Sequence, residues 1–155
     1  MILNENFSDF IRLLNKHHVR YVLIGGWAVI FEGYGRTTGD MDVFIEPSPE
    51  NSEKVLLVLK DFFGSTIGFV KKDFSKPDNV LMMGREPNRI DLLTGISGVS
   101  FNEVFDNSKL YNDAGLTIRC IHINELIRNK EASGRMKDKA DAAYLRKIQS
   151  KRRNN

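Results

Sequence analysis

The sequence predicts an α/β (α+β) fold in which helices flank a small mixed β-sheet and further helices follow at the C-terminus. Several segments carry apolar residues at spacings of three and four, and short continuous apolar runs lie between them. Glycine, proline and polar clusters separate these segments. A chain of 155 residues suits one domain. We therefore expect a core over residues 1–122 and a helical extension of the same domain, with a basic tail, over residues 123–155.

In the first half of the chain, helices and strands are predicted to alternate. Phe7, Phe10 and Leu14 recur at helical spacing, whereas residues 21–24 form an uninterrupted apolar run. Pro47 stops a second such run. The expected elements are a helix over 4–18, a strand over 21–24, a short helix that begins near Trp27, a strand over 41–46, and a helix from Ser48 or Asn51 to Gly64.

The second half is predicted to contain short strands and two closing helices. Polar residues and Pro77 indicate a loop over 71–78, and Ala140, Tyr144 and Ile148 follow one side of the last helix. The expected elements are strands over 67–70, 79–83, 89–93 and 116–121, a short helix over 101–107, and helices over 125–131 and 136–149.

Two carboxylates stand one residue apart where the second strand is predicted to begin. Side chains at i and i+2 of a strand share a face, so Asp40 and Asp42 should be directed at one point. Like charges that close repel each other unless a cation lies between them, and an all-oxygen donor set favours Mg²⁺ or Mn²⁺. The alternative is a turn-and-cap role at the start of the strand.

A third carboxylate, Asp91, lies inside the apolar run over 89–93. An unpaired charge is expensive to bury. We therefore expect Asp91 either at a sheet edge facing solvent or beside Asp40 and Asp42. The second arrangement makes a three-carboxylate site that could hold two divalent ions.

A glycine pair, Gly25-Gly26, follows the first predicted strand. Glycines permit a tight turn into the following helix and would leave backbone N–H groups free to bind an anion. This predicted phosphate site and the predicted metal site lie on neighbouring elements. Together they indicate a metal-dependent enzyme that handles a nucleoside triphosphate (NTP).

Charge is distributed unevenly along the chain. The net charge is +3, yet residues 126–155 contain ten Lys or Arg against three Asp or Glu, and the preceding residues contain thirteen against seventeen. A basic tail on a slightly acidic body favours a polyanionic partner. The alternative is a solvated helix with a frayed basic end.

The sequence shows no signal for export or membrane insertion. Its apolar runs are far shorter than the roughly 20 residues that a membrane span requires, and its N-terminus lacks the pattern of a secretory signal. Cys120 is the only cysteine, which excludes an internal disulfide. We therefore expect a cytoplasmic protein without a membrane partner.

The motifs Gly25-Gly26-x-Ala28, Arg36-x-Thr38-x-Asp40-x-Asp42 and Ile90-Asp91-Leu92-Leu93 resemble those of the nucleotidyltransferase superfamily that includes DNA polymerase beta. Their spacing looks most like two small bacterial groups. One is the abortive-infection-type toxin nucleotidyltransferases of toxin–antitoxin systems, and the other is the lincosamide-type antibiotic nucleotidyltransferases. The resemblance covers residues 21–95, and the pattern over 130–141 is similar to the C-terminal helices of the toxin-like group.

This resemblance implies a catalytic core that transfers a nucleoside monophosphate from an NTP to an acceptor hydroxyl, with Mg²⁺ or Mn²⁺ as cofactor. It implies that Asp40, Asp42 and Asp91 are both catalytic and metal-binding. Gly26 stands where many members have serine, so only a backbone N–H remains there to contact phosphate. The residues implied in nucleotide binding are Gly25, Gly26, Arg36, Thr38, Lys130, Arg135 and Lys137.

The basic candidates also have structural interpretations. Arg36 could bridge to the preceding helix, and Lys130, Arg135 and Lys137 could complement a helix-end dipole. Asp138 and Asp141 lie three residues apart on one predicted helix face. We expect them to pair with Arg135 or Lys137 rather than to bind metal.

The acceptor is open between an RNA such as tRNA, a protein hydroxyl and a small molecule such as an antibiotic. The basic tail favours RNA, whereas the short chain favours a small acceptor or a site completed by a partner, for which an antitoxin protein is a candidate. A non-catalytic nucleotide-binding or regulatory module of the same fold is the alternative to an enzyme. The intact set of three aspartates argues against that alternative.

Overall fold

A six-stranded sheet forms the centre of the protein, and helices pack on both of its faces. The structure is a computed structural model and describes residues 1–155. The predicted mixed sheet with flanking and C-terminal helices is confirmed. The elements, in chain order, are α1 (Glu5–Lys16), β1 (Tyr21–Ile24), α2 (Gly25–Phe31), β2 (Met41–Ile45), α3 (Pro49–Phe63), α4 (Lys71–Ser75), β3 (Val80–Met83), β4 (Ile90–Leu93), α5 (Phe101–Asp106), β5 (Lys109–Asp113), β6 (Leu116–Cys120), α6 (Ile123–Ala132) and α7 (Met136–Arg153).

Local sequence signals begin the two longest helices of the first half. The Asn4 side chain caps α1 by accepting a hydrogen bond from Phe7 N–H (2.8 Å). Ser48 caps α3 by accepting one from Asn51 N–H (3.1 Å). Pro49 follows in the first turn, where its missing N–H needs no helical partner.

The strand order in the sheet is β3-β4-β2-β1-β6-β5. β2 pairs in parallel with β4, and β1 pairs in parallel with β6. The remaining neighbours are antiparallel. The start of β2 therefore lies between the end of β1 and the start of β4, and this junction is where the predicted acidic residues meet.

Side chains of β1 alternate between two hydrophobic cores. Tyr21 and Leu23 belong to a cluster of 21 buried residues shared with α1, α3 and α4. Val22 and Ile24 belong to a cluster of 12 buried residues shared with α2, α5, α6 and α7. Because both faces of the sheet are covered, the central strands are continuous apolar runs rather than alternating ones.

Some local expectations are wrong. Residues 67–70 do not form a strand, because Ile67 adopts a left-handed φ of 46° and the chain turns there. Asp73 then accepts a hydrogen bond from Val70 N–H (2.7 Å), so α4 replaces part of the loop expected over 71–78. The edge strand β5 was not expected, and α7 continues past residue 149 to Arg153. None of the helices combines the length and the apolar character that a membrane crossing needs.

Candidate active site

Asp42 and Asp91 face each other across two neighbouring strands. They are direct partners in the parallel register of β2 and β4, and Ile24 of β1 is the partner of Asp42 on the other side. Asp40 lies just before β2 and lines the same cavity as Asp42 and Asp91. The three carboxylates expected from the sequence are therefore brought together at one end of the central strands.

The surroundings of Asp42 oppose its ionisation. Burial raises the pKa of Asp42 to about 7, and the charges of Asp91 and Asp40, together with a hydrogen bond to Asp91, act in the same direction. The charge of Lys130 acts in the opposite direction. A carboxylate in this position is stabilised by an added cation.

Arg89 supplies a positive charge to this acidic site from within the chain. Its Nε donates to Asp91 Oδ1 (3.1 Å), its Nη2 donates to Asp91 Oδ2 (3.2 Å), and Nη2 also donates to Asp40. Arg89 is not among the residues predicted from the sequence to form a site. The available signal was its position two residues before Asp91, which puts both side chains on one face of the strand.

A divalent metal ion, which the resemblance implies, fits these donors. They are hard carboxylate oxygens, and Asp40 Oδ1 is buried without a hydrogen-bond partner. As the side chains stand, no group of three or more His, Cys, Asp or Glu is arranged to hold a metal ion. Binding by all three aspartates would need these side chains to rearrange, and Arg89, which is one-third exposed, now occupies oxygens of Asp40 and Asp91.

The glycine pair brings the backbone close to the acidic site. Gly25 has a φ of +69°, and a Cβ at this position would overlap with Asp42 Oδ2. A Cβ on Gly26 would overlap with Thr38 Oγ1 and lie 2.9 Å from Thr38 Cβ. Both positions therefore require glycine, Gly25 for its backbone conformation and both for close approach.

Two buried acids of α7 hold three of the basic residues that line the cavity. Asp141 accepts a hydrogen bond from Arg36 Nη2 (3.0 Å) and lies 3.2 Å from Lys130 Nζ. Asp138 accepts hydrogen bonds from Lys130 Nζ (3.0 Å) and Arg135 Nε (2.9 Å). Arg36 thus pairs with α7 rather than with the preceding helix.

The expected pairing of Asp138 with Arg135 is confirmed. The same expectation for Asp141 is wrong, because Asp141 pairs with Arg36 and Lys130, and Lys137 pairs with neither acid. Burial alone would raise the pKa of Asp138, but hydrogen bonds from Ser133 and Lys130 and the charges of Lys130 and Arg135 outweigh it and hold this pKa below its ordinary value. The network joins the loop after α2 to α6 and α7.

These elements enclose a cavity of about 640 Å³, a size typical of small-ligand sites. Only two of its lining residues are hydrophobic. Gly25 lines an adjoining pocket together with Asp42. The cavity is lined by the other nine predicted residues, namely Gly26, Arg36, Thr38, Asp40, Asp42, Asp91, Lys130, Arg135 and Lys137.

The cavity also contains residues that the sequence motifs did not assign to a site. Val80 and Leu93 are its two apolar residues, and Glu86 lies beside Asp40. A hydrogen bond with Asp40 raises the pKa of Glu86. Val80 and Glu86 lie outside the motifs, because their positions depend on how β3 and the turn after it lie against β4. Leu93 lies within the motif of Asp91, and its position two residues later on the same strand face was the available signal.

The model of the family described as "Nucleotidyl transferase of unknown function (DUF2204)" matches residues 4–154 of the chain. A comparison with curated protein sequences finds no match.

Two solved structures share the fold. One is the lincosamide antibiotic adenylyltransferase LnuA in its lincomycin-bound form, with 17% identity, a TM-score of 0.56, and coverage of 94% of this chain and 98% of that chain. The other is a Thermotoga maritima protein described as a candidate nucleotidyltransferase, with 14% identity, a TM-score of 0.57, and coverage of 94% and 91%. At these identities the likeness establishes the fold alone.

Proposed function

Because this chain belongs to the nucleotidyl transferase family DUF2204, we propose that it moves a nucleoside monophosphate from an NTP to the hydroxyl of an acceptor, with release of pyrophosphate. Membership of this family confirms the resemblance to nucleotidyltransferases seen in the motifs. The observation that carries the proposal is the convergence of three carboxylates and several cations in one cavity.

The carboxylates are the residues that would hold the metal. Asp40 and Asp42 would bind two divalent ions, Mg²⁺ or Mn²⁺, and Asp91 would share the ion on the acceptor side. When bound, such ions neutralise phosphate charge and lower the pKa of an attacking hydroxyl. The mutual repulsion of Asp42 and Asp91 and the unpartnered oxygen of Asp40 support this assignment.

The cations and the glycine turn would bind the triphosphate. Arg36 and Lys130 line the cavity and are held in place by Asp141, so their charges are already positioned before a nucleotide enters. Thr38 offers a hydroxyl, and Gly25 and Gly26 allow the phosphate oxygens to approach the backbone. Arg135 and Lys137 add positive charge in the same cavity.

In the reaction, the acceptor oxygen forms a bond to the α-phosphorus, and the bond between that phosphorus and the pyrophosphate oxygen breaks. The acceptor hydroxyl loses its proton to Asp91. Arg89 has to leave Asp40 and Asp91 before these carboxylates can act, and its own charge then remains available near the acidic site.

The identity of the acceptor distinguishes three more specific functions. An RNA or protein acceptor would suit a toxin of a toxin–antitoxin system, for which the basic C-terminal segment is the supporting feature. A small-molecule acceptor is the second candidate, supported by the size of the cavity and by the fold shared with a lincosamide adenylyltransferase. A non-catalytic nucleotide-binding module is the remaining alternative.

Calorimetry with Mg²⁺ or Mn²⁺ and each NTP tests the proposal. We expect nucleotide to strengthen metal binding and Asp42→Asn to abolish it, with the circular dichroism spectrum unchanged. Asp106→Asn is a matched control, because Asp106 is exposed at the end of α5. Unaltered metal binding in Asp42→Asn would refute the assignment. Incubation with α-labelled NTPs, total RNA and cell extract then shows which acceptor takes the label.

A further inference from the structure

Helix α7 separates its charges by sign. Its two acidic residues, Asp138 and Asp141, are both buried and directed at cations of the candidate active site. Its basic residues are all exposed. The helix therefore contributes positive charge and no acidic residue of its own to its solvent-facing side, where Glu131 of α6 lies beside Lys139 and Arg146.

Most of these cations have no ion-pair partner within the protein. Arg146 pairs with Glu131 of α6, and Arg152 pairs with Glu32 of α2. The cations of α7 that make no ion pair are Lys137, Lys139, Lys147, Lys151 and Arg153.

The unpaired cations are spread along the length of α7, and the first of them reaches the cavity. Lys137 lines the cavity that holds the three aspartates. Lys139, Lys147 and Lys151 follow at spacings of eight and four residues, which at 3.6 residues per turn spreads them over an arc of about 120° on the solvent-facing side of the helix. Lys137 lies at the edge of that side next to Lys151 in angle, about 160° around the axis from Lys139. With a rise of 1.5 Å per residue, the distance from Lys137 to Arg153 is about 24 Å. We call Lys139, Lys147 and Lys151 the basic track.

We propose that the basic track is the docking surface for a single-stranded RNA whose hydroxyl is the acceptor. This inference rests on the proposed function. Several positive charges along one helix suit a polyanion with regularly spaced phosphates. RNA also offers acceptor hydroxyls, because each nucleotide carries a 2′-hydroxyl and the chain end carries another. Small side chains, Ala143 and Ser150, lie exposed among the lysines and leave room for a sugar-phosphate backbone.

A lipid surface fits this face less well. Leu145 of α7 is buried in the protein core, Ile148 packs against it, and Met136 at the start of the helix is its one exposed large apolar residue. A single exposed methionine does not make an apolar side that could insert among acyl chains. Electrostatic attraction to anionic lipid remains as a competing outcome for the test below.

The test compares two triple variants that remove equal charge. Lys139→Gln/Lys147→Gln/Lys151→Gln neutralises the basic track. Lys60→Gln/Lys72→Gln/Lys76→Gln is the control, because those exposed lysines belong to α3, α4 and the residue after α4, on the opposite face of the sheet. None of the six lysines lines the cavity.

The readout is fluorescence anisotropy of a short labelled single-stranded RNA over a range of salt concentrations. Each phosphate contact contributes about −0.7 to the slope of log K against log salt. The track variant should therefore lose about two units of slope, and at 0.1 M salt its affinity should fall on the order of 100-fold. The control should behave like the unaltered protein.

Label transfer from NTP to that RNA should fall in parallel in the track variant. Lowering the salt concentration should increase transfer more in the control and the unaltered protein than in the track variant, because the track variant has the smaller salt slope. Equal effects of the two variants on RNA binding would overturn the inference. The inference would also be overturned if RNA binding were undetectable at low salt. This holds equally if the protein binds phosphatidylserine vesicles but not RNA.

Calorimetric binding of NTP with Mg²⁺ separates the two proposals. Both triple variants should bind nucleotide as the unaltered protein does. If nucleotide binds and RNA does not, the RNA inference fails while the proposed function stands. If the unaltered protein binds no nucleotide, the proposed function fails, and the inference fails with it.

Discussion

The guanidinium of Arg152 lies 2.8 Å from the carboxylate of Glu32. Its N–H groups are not aligned on that oxygen, so the contact is an ion pair rather than a hydrogen bond. Glu32 is buried at the end of α2 and also accepts a hydrogen bond from the Tyr111 hydroxyl of β5 (3.1 Å). The C-terminal end of α7 is thus fastened to the body of the protein and is not a frayed, solvated end.

Replacing Arg152 should weaken the fold more than replacing its neighbour. We expect Arg152→Ala to lower the free energy of unfolding by about 1–3 kcal/mol, because a buried carboxylate loses a partner. Arg153→Ala, at an exposed residue without an ion pair, should change it by less than about 0.5 kcal/mol. Urea denaturation measures both values, and equal effects would show that the ion pair contributes nothing. Because Arg152 makes this ion pair, deletion of residues 147–155 would remove positive charge and lower the stability of the fold at the same time. Such a deletion is therefore a poor test of the tail's charge alone.

Asp42→Asn should stabilise the metal-free protein in a pH-dependent manner. The folded-state pKa of Asp42 is raised to about 7 from its ordinary value of 3.8. The free energy of unfolding therefore falls as pH rises from about 4 to about 7, and this decrease is complete above that range. The variant lacks this penalty, so in chelator at pH 8 it should exceed the unaltered protein by about 2–4 kcal/mol.

The measurement is urea denaturation over a pH series in the presence of chelator. The two stability curves should converge as pH falls to about 4. Asp106→Asn, at an exposed aspartate, should run parallel to the unaltered protein throughout. A parallel curve for Asp42→Asn as well would mean that Arg89 and Lys130 already compensate the Asp42 charge.

A methyl group at position 26 should disturb the nucleotide site through Thr38. Gly26→Ala would drive the new Cβ into the Thr38 side chain and to within 3.2 Å of Arg36 Nη2. Shifting these groups costs about 1–3 kcal/mol of stability. Because Thr38 and Arg36 would move from the positions proposed to contact the triphosphate, we also expect a roughly tenfold loss of NTP affinity. Calorimetric titration measures this loss, and circular dichroism checks the fold.

The matched control for that change is Gly35→Ala. A Cβ added at Gly35 would have no atom within 4 Å, and the φ of this residue is not positive, so the substitution should leave NTP affinity unchanged. Adding Thr38→Gly to Gly26→Ala should relieve the overlap and restore thermal stability. If the Thr38 hydroxyl contacts phosphate, affinity stays low in this double variant. Full recovery of affinity would assign Thr38 a spacing role only.

The acidic site was predictable because it depends on local periodicity. Asp40 and Asp42 differ by two positions, and Asp91 lies in an apolar run, so placing these runs on neighbouring strands was enough to bring the carboxylates together. The position of the glycine pair was predictable because it directly follows an apolar run. The structure explains why both residues are glycine, since a Cβ would overlap with Asp42 at Gly25 and with Thr38 at Gly26.

Other features depend on contacts between distant parts of the chain. The pairing of Arg36 with Asp141 joins residues 105 positions apart, and no local pattern specifies it. The strand β5 was missed because it is a sheet edge with mixed polarity, where Leu110 is 61% exposed. The error at residues 67–70 arose because an apolar run does not reveal the left-handed backbone of Ile67.

If the acidic site binds a divalent cation as proposed, Arg89 makes that binding an exchange reaction. An incoming ion would gain the oxygens of Asp40 and Asp91 only by releasing the guanidinium that now contacts both carboxylates. A divalent ion accompanied by a triphosphate would bring both the charge to replace Arg89 and a new anion for it to bind. Under the proposed function, this side chain would then couple metal occupancy to the arrival of nucleotide.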